Sequence, residues 1–219
     1  MNQIKIFPSL ISSNLLHIEK TLIELTPYCD GFHIDIMDNH FVPNLTWGPP
    51  IVNLIAAYTN KPLSIHLMVE NPETIIKQLK VKERSSISIH IENKNTNELI
   101  TLIQEKKLKT SIAIKPHTPL ENLFPFLKTV DEILLMSVEP GFSGQTFLPE
   151  SIKRLEDLSA YKKNNSLNFE IAMDGGITAE NIHQLFLNGC STFCIASAIF
   201  STKNPQYALK ELYAKALEG

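Results

Sequence analysis

The chain has 219 residues, 43% of them hydrophobic and 20% charged, with a formal net charge of −3. That length suits one domain, residues 1–219, with a core large enough to fold alone. The weak negative charge speaks against nucleic acid and anionic membrane as partners. It leaves room for a phosphorylated small molecule held at one local site. The three cysteines, Cys29, Cys190 and Cys194, form no CxxC pair and read as free thiols of a reducing compartment. The stretch Met1–Lys5 lacks the pattern of a secretory signal, and no apolar run approaches the ~20 residues of a membrane helix. The expected location is the cytoplasm, and a homo-oligomer is compatible with the chain.

In chain order, short apolar, β-branched runs predict strands at Ile4–Ser9, Gly31–Met37, Leu63–Met68, Ser86–His90, Ser111–Ile114, Glu132–Val138, Phe169–Met173 and Thr192–Ile195. Helical patterns fill the gaps. Leu15, Ile18, Leu22 and Leu25 share one helical face. Asn71-Pro72 and Asn204-Pro205 read as N-caps followed by proline at the first helical position, and Gly189 as a helix stop. Lys162–Ser166 reads as a polar loop. Alternation of this kind fits either a closed (β/α)8 TIM barrel or an open doubly wound sheet. Polar residues gathered at the C-terminal ends of many strands favour the barrel, whose βα loops build the site.

The second strand reads Phe32-His33-Ile34-Asp35-Ile36-Met37, and side-chain alternation puts His33, Asp35 and Met37 on one face. An inward His and Asp are costly to bury unless paired or metal-bound. Taken alone, the pair is equally a satisfied core hydrogen bond. The third strand repeats the pattern with His66 and Met68, and the seventh ends at Asp174-Gly175-Gly176. Two imidazoles and two carboxylates thus come from three strand ends. Nitrogen and oxygen ligands of this kind suit one divalent ion: zinc, iron(II), manganese or cobalt. Inverting a stereocentre by proton transfer needs two groups on opposite faces of the substrate. Two carboxylates can serve if their pKa values are tuned apart, and a metal between them would offset their repulsion.

Two glycine-bearing turns are candidate phosphate cradles. One is Pro140-Gly141-Phe142-Ser143-Gly144-Gln145 after strand six. The other is Gly175-Gly176, leading to Thr178 as a helix N-cap; Ser197 after strand eight could add a hydroxyl. Singly, such turns are more often plain loops. His90, Glu92 and Lys115 end strands four and five and read either as lining the site or as solvated loop residues, the second reading being favoured for Glu92. Phe41–Asn44 reads as a packed loop walling the site. Met37, Met68 and Met136 fall at matching heights, where they could cap a reactive intermediate, although methionine is commonly core filler.

In combination these segments resemble the ribulose-phosphate 3-epimerase family over essentially the full length. The matching stretches are Pro8-Ser9, His33–Asn44, His66–Met68, Met136–Phe147, Asp174–Ile177 and Ala196–Phe200. The resemblance implies a metal-dependent (β/α)8 barrel interconverting D-ribulose 5-phosphate and D-xylulose 5-phosphate through an enediolate. It implies His33, Asp35, His66 and Asp174 as metal ligands, Asp35 as proton acceptor and Asp174 as proton donor. It places Ser9 and His66 against the substrate, and Gly141, Phe142, Ser143, Gly144, Gly175, Gly176, Ala196 and Ser197 around its phosphate. The chain departs from the family pattern at Asn39, Ser143 and Ala196, where glycine is usual, and at Ala172, where glutamate is usual. Ser143 and Ala196 are expected to crowd the phosphate. Two other readings stand beside this one: a 3-epimerase of a ketohexose phosphate such as D-allulose 6-phosphate, and a non-catalytic sugar-phosphate-binding barrel. The Gly48-Pro49-Pro50 segment and the Asp174-Gly175-Gly176 turn look more like the pentulose enzymes, and retention of all the ligands speaks against a dead barrel.

Overall fold

A computed structural model describes residues 3–218. Eight parallel strands form one sheet in the order β1-β8-β7-β6-β5-β4-β3-β2. They are β1 (Lys5–Pro8), β2 (Phe32–Met37), β3 (Leu63–Met68), β4 (Ser86–His90), β5 (Lys109–Ile114), β6 (Glu132–Met136), β7 (Glu170–Asp174) and β8 (Thr192–Ile195). The ring closes between β1 and β2 through a single parallel bridge, Ser9 to His33. Asp30 staples the same seam: its carboxylate accepts from Ile6 N at 2.8 Å and its N–H donates to Ile6 O at 3.1 Å. The expected TIM barrel is therefore the fold, and the expected strands lie within a residue or two of the observed ones.

Helices cover the outside: α1 (Ile18–Leu25), α2 (Pro49–Tyr58), α3 (Pro72–Gln78), α4 (Thr96–Glu105), α5 (Glu150–Asn164), α6 (Ile182–Leu187), the short α7 (Ser197–Phe200) and α8 (Pro205–Leu217). The gap between β5 and β6 holds only the 3-10 turn Leu120–Leu123 and further turns. Pro119 precedes that turn, and a proline disfavours helical backbone in the residue before it. Other local expectations shift for similar reasons. Leu15 lies in a 3-10 turn ahead of α1 and is exposed, whereas Leu22 and Leu25 are buried. The run Lys162–Asn164 continues α5, its lysines standing in the last turn where the helix dipole favours them. Thr178 precedes α6 by a full turn, and Asn181 takes the N-cap position. Asn204 caps α8 by accepting from Tyr207 N, while the Asn71 side chain makes no such bond. Gly189 follows α6 with φ 105°, as a stop residue should.

Strand alternation divides the barrel into two kinds of interior. Ile34, Ile36, Ile65, Leu67, Ile87, Ile89, Ile112, Ile114, Ile133 and Leu135 face outward and are buried against the helices. Each such side chain contributes about 1.5–3 kcal/mol of burial. This outer layer holds the ring together. The inward positions are freed for other residues: Ala113, Leu134, Met136, Val138, Ala172 and Cys194 form a small apolar cluster around β5 to β8. Around β2 to β4 the inward positions are polar: His33, Asp35, Ser64, His66, Ser88 and His90, all buried.

Candidate active site

Register determines what meets inside. Asp35 pairs with His66 across β2 and β3, and two residues further on Met37 pairs with Met68. On the other side Met136 pairs with Asp174 across β6 and β7. On β2 and β3 the next inward residues beyond Asp35 and His66 are therefore methionines, while Met136 stands level with Asp174. All three methionines line one pocket at the C-terminal ends of the strands, together with Ser9, Asp35 and Asp174. Met37 and Met68 are buried against Val42, with Ile11 and Phe41 packed alongside, so the loop after β2 is the wall expected of it.

One ligand atom from each of His33, Asp35, His66 and Asp174 lies within 4.8 Å of all the others. His33 Nε2 stands 3.1 Å from Asp35 Oδ1 and 3.7 Å from Asp174 Oδ2. His66 Nδ1 stands 3.3 Å and 3.6 Å from the same two oxygens. Neither contact of His66 Nδ1 has hydrogen-bond geometry, and this fully buried nitrogen is left without a partner. A buried polar atom without a partner is costly. Burial alone would lower the pKa of both imidazoles. The carboxylates outweigh it, raising His33 and holding His66 at about 9. Burial would raise Asp35, but His33 and His66 pull it well below the usual carboxylate range. The pair of carboxylates thus demands positive charge between them. A divalent ion would supply it, and the donor set of two nitrogens and two oxygens fits one.

Further bonds hold these side chains. Ser9 Oγ donates to Asp35 Oδ2 at 2.6 Å, and Ser64 Oγ lies 3.0 Å from His33 Nδ1. On the far side of His66, Nε2 lies 2.8 Å from His90 Nε2, and His90 Nδ1 lies 2.9 Å from Glu92 Oε2. Glu92 also accepts from Lys115 N at 3.0 Å and from Thr118 Oγ1. The expectation that Glu92 is a solvated loop residue is overturned. Its pKa is held at about 2, because bonds to His90 and Thr118 outweigh its partial burial. Lys115 does not line the pocket; its ammonium sits 4.2 Å over the Phe41 ring. Ser64, His90 and Glu92 were not read as a connected group in the sequence. Their one local signal was polar residues at inward positions of two neighbouring strands.

Gly141, Phe142, Ser143, Gly144, Gly175, Gly176, Ala196 and Ser197 all line the same pocket. The glycines after β7 are imposed by packing. A Cβ on Gly175 would lie 2.3 Å from Val138 Cγ2, and one on Gly176 would lie 2.4 Å from Phe147 N. Both also have positive φ, at 112° and 62°. Asn44 Nδ2 donates to Gly141 O at 2.7 Å, tying the loop after β6 to the loop after β2. Ser143 Oγ meets Ser12 Oγ at 2.5 Å, so the side chain at this departure is engaged by the loop after β1. Asn39 has φ 59°, a left-handed conformation that asparagine tolerates better than most residues. Ala172 lies in the small apolar cluster beneath Asp174.

The fold and this site define a (β/α)8-barrel enzyme whose buried His2Asp2 centre opens to a glycine-lined pocket. Comparison with known proteins narrows the class. The ribulose-phosphate 3-epimerase family profile matches residues 5–200, and the chain belongs to that family. It is 35% identical over 209 residues to the ribulose-phosphate 3-epimerase of Helicobacter pylori, covering 95% of this chain and 96% of that one. It is 33% identical over 215 residues to the Escherichia coli enzyme of the same name, covering 97% and 96%. Solved structures sharing the fold include KGPDC from Streptococcus mutans, at TM-score 0.70 and 12% identity over 98% of this chain and 97% of that one. They also include the tryptophan synthase alpha-subunit of Pyrococcus furiosus, at TM-score 0.68 and 16% identity over 99% of each chain. The protein is therefore an epimerase, an isomerase of the TIM-barrel class. Among the described residues no helix is long and apolar enough to cross a membrane.

Proposed function

We propose that this chain acts as one catalytic domain, in the cytoplasm, interconverting D-ribulose 5-phosphate and D-xylulose 5-phosphate. The observation that carries the reading is the convergence of Asp35 and Asp174 from β2 and β7 on one buried His2Asp2 cluster beneath a pocket. His33 Nε2, His66 Nδ1, Asp35 and Asp174 would hold a divalent ion. When bound, that ion would polarise the substrate's ketone and neutralise charge developing on it.

The chain's own groups account for the proton transfers. Asp35 is kept ionised by the flanking imidazoles, so it takes the proton from carbon 3 of D-ribulose 5-phosphate. Asp174 returns a proton to the other face, and the roles exchange in the reverse direction. Ser9 holds the second oxygen of Asp35 and so fixes the direction of its lone pairs. Met37, Met68 and Met136 form the pocket's apolar wall, which keeps water from an enediolate. The glycines at 141, 144, 175 and 176, with Phe142, Ser143, Ala196 and Ser197, receive the phosphate. The test is an epimerase assay of the purified chain on D-ribulose 5-phosphate and D-allulose 6-phosphate, with the bound metal identified by elemental analysis. Turnover of the pentulose by metal-loaded protein supports the reading. Preference for the hexulose would move the substrate, and absence of any turnover would leave a binding barrel.

A further inference from the structure

We infer that Glu92, acting through His90, sets the tautomer of His66 and thereby makes His66 Nδ1 a metal ligand. This rests on the proposed His2Asp2 metal centre and adds to it two positioning residues that touch neither the ion nor the substrate.

The protons along one line of atoms can be counted from its outer end. Glu92 lies at its outer end and is an acceptor only. Its Oε1 is already committed to Lys115 N, a backbone donor that cannot turn away, and to Thr118 Oγ1. Its Oε2 faces His90 Nδ1 at 2.9 Å. Two acceptors cannot face each other at that distance, so His90 carries its proton on Nδ1 and donates it to Glu92. A neutral His90 then offers a lone pair at Nε2. That lone pair lies 2.8 Å from His66 Nε2, so His66 carries its proton on Nε2 and donates it to His90. A neutral His66 is left with a lone pair on Nδ1. This is the buried nitrogen that lacks a hydrogen-bond partner and stands 3.3 Å from Asp35 Oδ1. Ligand orientation by a hydrogen-bonded carboxylate is a recognised device in metal sites. Here an intervening imidazole lengthens the link by one residue.

The surroundings keep the line in place. His66 and His90 are fully buried. Their rings stack at 4.9 Å between centroids with a 25° interplanar angle, and Phe41 covers His90 at 4.7 Å. Lys115 closes the outside by lying over Phe41. Turning the His90 ring over would break two hydrogen bonds, and turning the His66 ring over would break its bond to His90. On its side away from Asp35, His33 has a simpler support, one contact from Nδ1 to Ser64 Oγ, a group that can donate or accept. The Ser64 hydroxyl does not dictate a tautomer; the Glu92 carboxylate does.

Glu92→Gln should reverse the line. The backbone N–H of Lys115 holds the amide oxygen at the Oε1 position, so the amide NH2 faces His90 Nδ1. His90 must then protonate Nε2, and His66 must move its proton to Nδ1, where it blocks the ligand position. His90→Gln should preserve the direction, because its amide can accept from His66 and donate to Glu92. His90→Leu should break it. The experiment is Co²⁺ titration of full-length, metal-stripped protein, followed by the visible absorption of bound cobalt, on wild type and these variants, with His66→Ala as the site control. Folding is checked by circular dichroism. The expected result is a Kd weakened about ten- to a hundredfold by Glu92→Gln and by His90→Leu, with His90→Gln within a few-fold of wild type. If Glu92→Gln fails to fold, the contrast between His90→Gln and His90→Leu decides alone. Wild-type Kd and spectrum in both Glu92→Gln and His90→Leu would overturn the inference while leaving the metal centre standing. Unchanged Co²⁺ binding in His66→Ala would instead overturn the metal centre, and the inference with it.

Discussion

Ser9 Oγ lies 2.6 Å from Asp35 Oδ2, across the seam where the barrel ring closes. The carboxylate on β2 is thus aimed by a hydroxyl just beyond the end of β1, and the contact depends on the ring being shut. A hydrogen bond to a charged group is worth about 1.5–3 kcal/mol. Ser9→Ala should therefore lower turnover about tenfold or more while the chain remains folded. Steady-state kinetics beside a far-ultraviolet spectrum check this. Unchanged turnover would show that Asp35 is oriented without Ser9.

Asp35→Asn and Asp174→Asn should each suppress epimerisation by at least the ~10²–10⁴-fold expected for loss of one acid–base group. Metal affinity should fall as well, since both carboxylates belong to the same cluster. Near-normal turnover by either variant, once shown to be folded, would refute the two-carboxylate scheme.

The substrate's length should matter. In the proposed binding mode carbon 3 lies over the carboxylates and the phosphate lies at the glycine turns. One extra carbon adds about 1.5 Å of reach on ordinary bond geometry. A misplacement of about 1 Å can cost on the order of 10²-fold in rate. D-ribulose 5-phosphate should therefore exceed D-allulose 6-phosphate in kcat/KM by at least about tenfold, or roughly 1.4 kcal/mol. Equal efficiencies on one metal-loaded preparation would contradict the assignment of the pentulose.

At the opposite end of the barrel, Glu132 is buried on β6. Burial raises its pKa, and nearby Glu170 adds to the rise; Ser111, Lys109 and Lys5 oppose it. The sign follows from the raised value. Glu132 favours the fold when protonated, so its contribution is complete below about 4.3, the unfolded-chain value, and is lost as pH rises through the higher folded value. Glu132→Gln should raise the Tm at pH 8 and change it little at pH 4. Thermal unfolding at both pH values measures this. A variant equally destabilised at the two would show that the ionised carboxylate is well satisfied in place.

The parts of the molecule that local pattern encodes are legible in the sequence. β2 was expected at Gly31–Met37 and runs Phe32–Met37; β3 was expected and found at Leu63–Met68. His33, Asp35 and His66 could be placed inward because alternation along a strand is a local property, and Asp174 because it ends one. What alternation cannot supply is register between strands and contact between loops. His90 was visible as the end of β4, but its bond to His66 depends on how β3 and β4 are offset, and the role of Glu92 depends on His90. The approach of Ser143 to Ser12 spans 131 residues of chain and leaves no local mark. The gap between β5 and β6 holds a 3-10 turn and no α-helix, and Pro119 at its start is the local mark of that.

The most direct test of the account is the fate of the hydrogen at carbon 3. Metal-loaded enzyme is given D-ribulose 5-phosphate in deuterated water, the reaction is stopped early, and both sugars are examined by mass spectrometry and NMR. Removal by Asp35 and return by Asp174 predict D-xylulose 5-phosphate carrying deuterium at carbon 3, with the recovered D-ribulose 5-phosphate still largely protonated. Product that retains its original hydrogen at carbon 3 would contradict the two-carboxylate mechanism.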